Sequence, residues 1–214
     1  METRTKKRKL LEIEIMPQIT ERFTEAVKLA VQLHRDQVRK GSDVPYISHL
    51  LRVAGMVLEF GADEDTTIAA MLHDAVEDQG GTATARLIRE QFGERVERFV
   101  LGCSDSVTDT GQPKPPWRER KESKIAAIQD LDPETRLITA CDKLDNLRST
   151  VNAYPAAGPD LWKRFSGGRE GTLWYYRSII NALRDAGDCP LWEELELTLS
   201  RLETMIEGTA RTLI

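Results

Sequence analysis

The sequence predicts an all-α fold. Apolar residues recur at three- and four-residue intervals along most of the 214-residue chain, alternating strand-like patterns are nearly absent, and glycines and prolines cut the periodic stretches into about eight to ten helix-sized pieces. Such spacing lays apolar side chains in a stripe along one helix face, and stripes leave water by packing on one another.

The first stripe runs from Phe23 to Leu33, and Gly41 and Pro45 break the chain before the second, Ile47 to Phe60. In the third, Asp65 to Asp78, the residues Ile68, Met71, Leu72, Ala75 and Val76 share one face, and Gly80-Gly81 closes it. Leu87 to Phe92 and Val96 to Val107 follow. Thr108 to Pro116, with three prolines and a glycine, reads as the longest loop, of a length at which loops often carry function. Ile125 to Leu131 comes next, then Asp132-Pro133 opens Leu137 to Val151, and Pro155 to Pro159 marks its end. Leu173 to Leu183 and a final helix from Leu191 complete the series.

Composition narrows the function classes. With 40% hydrophobic and 30% charged residues the chain fits a globular protein rather than a disordered one. Its length suits one core, read here as a flexible basic tail over residues 1–15 and a single domain over 16–214, with motifs at about 26–150 and a helical extension over 151–214. Met16, followed by Pro17, is an alternative start. The longest apolar stretch, Val53 to Leu58, falls far short of the roughly eighteen residues a membrane span needs. The basic start runs into Glu12 and Glu14 instead of an apolar signal segment, so a cytoplasmic location is expected. Cys103, Cys141 and Cys189 are scattered and suggest neither a disulfide framework nor a thiolate zinc site. The net charge is −5, and beyond the first nine residues 25 basic against 34 acidic side chains give −9. An acidic body argues against nucleic-acid polymers as partners.

Against that background three clusters stand out. His49 closes Tyr46-Ile47-Ser48-His49, and His73 opens His73-Asp74-Ala75-Val76-Glu77-Asp78. On a helix, His73 and Glu77, and Asp74 and Asp78, lie one turn apart, and three acids near a helix C-terminus oppose the dipole at about 0.3–1 kcal/mol each. A divalent cation reverses the sign of that cost. The third cluster is Cys141-Asp142-Lys143-Leu144-Asp145-Asn146-Leu147-Arg148, in which Asp142 and Asn146 project together. His49, His73, Asp74 and Asp142 make a nitrogen and oxygen donor set without thiolate, suited to manganese, iron or a catalytic zinc. Glu77 and Asp78 are left to orient or deprotonate water.

The order His, then His-Asp, then Asp on separate helices resembles the HD superfamily of metal-dependent phosphohydrolases. From about Ala26 to Thr150 the text is similar to the hydrolase domain of the RelA/SpoT family and its stand-alone small alarmone hydrolases: His34-Arg35-Asp36-Gln37-Val38-Arg39-Lys40, Pro45 to His49, Ala70 to Asp78, Phe92-Gly93 and Asp142 to Arg148. The resemblance implies an HD-type helical bundle, one Mn²⁺ or another divalent metal, and removal of the 3′-diphosphate from guanosine tetraphosphate or pentaphosphate, a small phosphorylated nucleotide. It implies His49, His73, Asp74 and Asp142 as metal ligands, Glu77 and Asp78 as the water-activating pair, and Arg39, Lys40, Asn146 and Arg148 as substrate contacts.

Three positions depart from the family pattern: Leu50 in place of proline, Gln79 in place of threonine, and Asp145 where histidine or tyrosine is usual, which adds a negative charge near the pocket. Two segments, Pro116 to Lys121 and Trp162 to Arg177, interleave aromatic and basic residues. They read either as a phosphate-binding and base-stacking wall, with Arg120, Lys121, Lys143 and Arg169 as further contacts, or as packed aromatic stripes with solvated charges. The leading reading is a (p)ppGpp 3′-diphosphatase. Its rivals are an HD phosphohydrolase for another phosphorylated nucleotide, such as an NADPH 2′-phosphatase or a nucleotidase, an alarmone-binding module without turnover, and a helical scaffold whose clusters are ion-pair networks.

Overall fold

Thr20 and Asp63 begin helices by accepting the backbone N–H of Arg22 and Thr66 (3.2 and 2.9 Å), an arrangement that satisfies donors a helix start leaves open. The computed structural model describes residues 18–107 and 113–212; the expected basic tail over 1–15, Met16 and residues 108–112 of the expected loop lie outside the described residues. Ten α-helices follow in order among the described residues: α1 (Glu21–Leu33), α2 (Ile47–Glu59), α3 (Glu64–Leu72), α4 (Ala75–Asp78), α5 (Gly81–Phe92), α6 (Glu94–Cys103), α7 (Trp117–Ala127), α8 (Pro133–Ala157), α9 (Gly168–Ala186) and α10 (Trp192–Thr212). Short 3₁₀ turns at Ile128–Asp130 and Gly158–Arg164 link them, and Val38 and Pro45 form an isolated β-bridge. No described helix is long and apolar enough to cross a membrane.

α3 lies at the centre, touching α1, α2, α6 and α8. Every residue from Thr66 to Leu72 is buried, so the one-sided stripe read from the sequence is instead a helix enclosed on all sides. The predicted helix Asp65 to Asp78 is also interrupted. His73 Nδ1 donates to the Ala70 carbonyl (2.8 Å), the acceptor that the amide of Asp74 would use in an unbroken helix, and Asp74 sits at φ −97°, ψ −4° before α4 resumes. Gly80 and Gly81, with φ of 119° and 59°, then reverse the chain into α5.

Two other boundaries move. α6 stops at Cys103 rather than Val107, and α8 continues through Pro155 to Ala157. A proline near a helix end removes one hydrogen bond in a turn that is about to finish, which Gly158 does at φ 54°. α8 is buried on two sides: Ile138, Leu144 and Leu147 enter the core, and α10 and α9 cover its other flank. At the start of α9, Gly167 and Gly171 form the floor on which the Trp117 indole rests, and Trp117 meets Trp174 and Tyr175 edge-on at 6.2 and 6.5 Å.

A methyl group at Gly167 would sit 2.5 Å from the Trp117 ring, whereas one at Gly55 in α2 meets nothing within 4 Å. Gly167→Ala is therefore expected to destabilise by about 1–3 kcal/mol and Gly55→Ala to stabilise by about 0.5–1 kcal/mol, read from urea midpoints.

Candidate metal centre

Three elements converge on one buried point. α2 contributes His49, the break between α3 and α4 contributes His73 and Asp74, and α8 contributes Asp142. His49, His73 and Asp74 each offer a ligand atom within 4.8 Å of the others. Asp142 closes the remaining side, its Oδ1 3.2 Å from His49 Nε2 and 3.7 Å from His73 Nε2, while Asp74 Oδ2 lies 3.0 Å from His73 Nε2 and 3.7 Å from His49 Nε2. Both Nε2 atoms are buried and have no hydrogen-bond partner, although each faces two carboxylates. Unsatisfied nitrogens are costly in a core, and two imidazoles with two carboxylates are the donor chemistry that a divalent metal accepts. The four residues fit such an ion.

Charge is strongly perturbed here. Burial pulls His49 and His73 down, but the neighbouring carboxylates outweigh it: His49 rises to about 9, and His73 rises well above the ordinary histidine range. Burial pushes Asp74 and Asp142 up, yet their cationic neighbours, chiefly His73 for Asp74 and Lys143 for Asp142, hold both well below the usual carboxylate range. Lys143 Nζ and Asn146 Nδ2 donate to Asp142 (2.6 and 2.5 Å), and the Tyr46 hydroxyl donates to Asp74 Oδ2 (2.6 Å).

The expected water-activating pair diverges in direction. Asp78 accepts from Gln37 Nε2 (2.9 Å), and burial together with the charges of Asp74 and Glu77 raises its pKa. Glu77 accepts from the Asp105 amide (3.1 Å), Lys114 Nζ (3.2 Å) and Arg120 Nη1 (3.3 Å). It looks into a cavity of about 950 Å³ that opens beside the cluster, where Tyr46, Lys143 and Asn146 also reach the wall. Eight cationic side chains line this cavity, Arg39, Lys40, Arg52, Arg120, Lys121, Lys143, Arg148 and Arg164, against the carboxylates of Glu77 and Asp145.

Arg39 donates to Asn146 Oδ1 (2.8 Å), which ties two of the expected contacts together. Lys121 pairs with Asp105, and burial, reinforced by Lys143, lowers its pKa. Arg148 reaches the rim but is tied to Glu194 of α10. Arg169 is not brought to the cavity: it pairs with the adjacent Glu170 on the exposed start of α9. The second aromatic segment serves both readings, since Trp162 packs against Tyr154 and Phe165 while Phe165, Tyr175 and Tyr176 line the cavity. Sequence reasoning passed over Tyr46, Gln37, Arg52, Arg164 and Tyr175. Tyr46 and Gln37 stood inside the matched motifs, and Arg164 and Tyr175 inside the aromatic and basic segment Trp162 to Arg177 without being singled out there, whereas Arg52 carries no pattern of its own. The Asp145 carboxylate lines the wall but is taken up by His49 and Arg52.

The sequence pattern of the HD domain family matches residues 26–173. The chain belongs to this family. This HD domain is 37% identical over 134 residues to the guanosine-3′,5′-bis(diphosphate) 3′-pyrophosphohydrolase of Aquifex aeolicus (strain VF5), a match spanning 62% of the chain and 18% of that relative. It is 33% identical over 134 residues to the mouse guanosine-3′,5′-bis(diphosphate) 3′-pyrophosphohydrolase MESH1, spanning 61% of the chain and 70% of the relative. A solved structure described as a metazoan orthologue of SpoT that hydrolyses ppGpp superposes with a TM-score of 0.67 at 27% identity, covering 90% of the HD domain chain and 97% of the other. The chain spans less than a fifth of the first curated relatives it matches.

The raised imidazoles stabilise the metal-free fold fully below about pH 6.5, the unfolded value, and that contribution is lost as pH rises through about 9 for His49. Melting of the metal-free HD domain is therefore expected to fall between these values. Over the same window the affinity for Mn²⁺, measured calorimetrically, is expected to climb by up to about tenfold per pH unit for each proton displaced.

Proposed function

We propose that this HD domain hydrolyses guanosine tetraphosphate or pentaphosphate at the 3′ position, releasing diphosphate and leaving GDP or GTP, with Mn²⁺ held by His49, His73, Asp74 and Asp142. The observation that carries the reading is the placement of two unpartnered buried imidazole nitrogens beside a cavity with eight cations and two carboxylates, in a chain whose net charge is −5. The names of the Aquifex and mouse relatives point the same way.

The cavity has the volume of a nucleotide pocket, and its charge suits a highly phosphorylated one. Lys40 and Arg164 line it without a carboxylate partner among the described residues, so both are available to phosphate oxygens. The Arg39 guanidinium lies over the Tyr46 ring at 5.7 Å from its centroid, and both line the cavity, where such planar groups can stack on a base. The buried Tyr175 hydroxyl is unpartnered at the same wall and can hydrogen-bond the nucleotide.

A divalent cation held by the four ligands supplies Lewis-acid stabilisation of charge on the phosphoryl oxygens. Asp78, with its raised pKa and its carboxylate held by Gln37, takes a proton from the water whose oxygen bonds to the phosphorus next to the ribose. The bond to the ribose 3′-oxygen breaks, and a proton ends on that oxygen. Glu77 holds Arg120 at the cavity wall, where its guanidinium can take up charge on the departing diphosphate.

Purified chain with Mn²⁺ and guanosine tetraphosphate is expected to form GDP and diphosphate in equal amounts, and His73→Ala or Asp142→Ala to abolish the reaction. Asp78→Asn is expected to lower kcat by about 10²–10⁴-fold with KM changed by less than about threefold, and Arg164→Ala to raise KM instead. Absence of diphosphate release, with turnover of NADPH or a nucleoside monophosphate in parallel assays, would move the substrate assignment.

A further inference from the structure

We propose that Asp145 is a positioning residue of the metal centre, holding His49 in the tautomer that presents Nε2 to the cation and joining that imidazole to two arginines of the cavity wall. The inference rests on the metal-centre reading above and adds to it a residue outside the four ligands.

The geometry is a two-by-two clasp. On α2, His49 and Arg52 stand three residues apart and so share a face; on α8, Asp142 and Asp145 do the same. Where the helices pack, the His49 ring lies between the two carboxylates, Asp142 Oδ1 being 3.2 Å from Nε2 and Asp145 Oδ2 being 2.6 Å from Nδ1. An ionised carboxylate only accepts, so Nδ1 carries a proton in this contact and Nε2 is the nitrogen left to bind a cation.

The partner of His49 differs from that of His73. His73 Nδ1 uses a neutral backbone carbonyl, that of Ala70, whereas His49 uses a carboxylate that is 4% exposed. A charged acceptor makes the imidazole the more basic ligand and fixes its ring plane. Asp145 is itself held: Arg52 Nε donates to Oδ1, Arg52 Nη2 donates to Oδ2 (3.1 Å), and Arg39 Nη2 lies 3.6 Å from Oδ2. Arg39 in turn bonds Asn146, which donates to the ligand Asp142. Asp145 thus links a first ligand, two cavity cations and the support of a second ligand.

The test is a set of Mn²⁺ titrations on the metal-free full chain at one fixed pH, with His73→Ala as the loss control, together with ¹⁵N-resolved imidazole spectra of the chain loaded with diamagnetic Zn²⁺. Asp145→Ala is expected to weaken Mn²⁺ binding by about 10–100-fold, and Asp145→Asn, whose amide oxygen still accepts from Nδ1, by a smaller factor. The spectra are expected to show a protected Nδ1–H on His49 in the wild type and in Asp145→Asn. If His73→Ala loses the metal while Asp145→Ala stays within about twofold of wild type, or if His49 carries its proton on Nε2, the inference is overturned and the metal centre stands. Should Asp145→Ala not fold, Asp145→Asn decides, and unchanged affinity there overturns the inference. A wild-type chain that binds neither Mn²⁺ nor Zn²⁺ overturns the metal centre and this inference together.

Discussion

The packing of α2 against α8 is the constraint on which the rest of the structure depends. α8 carries Asp142, Asp145, Asn146 and Ser149 at spacings of three, one and three, which places them on one side of a helix whose apolar residues, Ile138, Leu144 and Leu147 among them, are buried in the core. Charges sunk that deeply are tolerated only when each oxygen has a partner, because removing one member of a buried pair leaves the other uncompensated at about 3–5 kcal/mol. His49, Arg52, Lys143 and Asn146 are those partners. Among the groups that face these carboxylates, the two imidazole Nε2 atoms are left without a hydrogen-bond partner, and with Asp74 they could hold a metal ion.

The break between α3 and α4 follows from the same demand. A continuous helix would spread His73 and Asp74 along its edge at 100° per residue. By using its own Nδ1 on the Ala70 carbonyl, His73 interrupts the backbone ladder, and His73 and Asp74 then face the same gap. α3 tolerates the interruption because its buried residues hold it from every side. Local helix irregularity here is the cost of bringing two donor side chains from adjacent positions to one point.

Charge is arranged unevenly on purpose of this kind. A chain of net −5 gathers eight cations around one cavity, while several acids sit behind it facing the two imidazoles, as anchors for Arg120 and Lys114, or as the clasp on Arg52. The negative charge of Asp145, which the sequence placed near the pocket, is neutralised by Arg52 and Arg39, far from it in the chain. Global charge therefore speaks against polymers with a broad phosphate backbone and says little about a compact polyanion that meets one local field.

Much was legible without coordinates. Three- and four-residue periodicity identified the helices because burying one face of a helix leaves that signature in any chain, and His49, His73, Asp74 and Asp142 stood out because ionisable groups beside apolar stripes are expensive unless used. Boundaries were less secure where side chains overrule backbone preference, as at His73, or where a proline falls in a closing turn, as at Pro155. Contacts made by single residues distant in sequence left no pattern: Arg52 on Asp145 and Glu194 on Arg148 depend on which helices meet. The sequence by itself determined an all-helical chain with a metal-type donor set. Only the tertiary structure decided which of its many cations face that set, because periodicity records which face of a helix is buried, whereas a partner's identity is set by the packing of one helix on another.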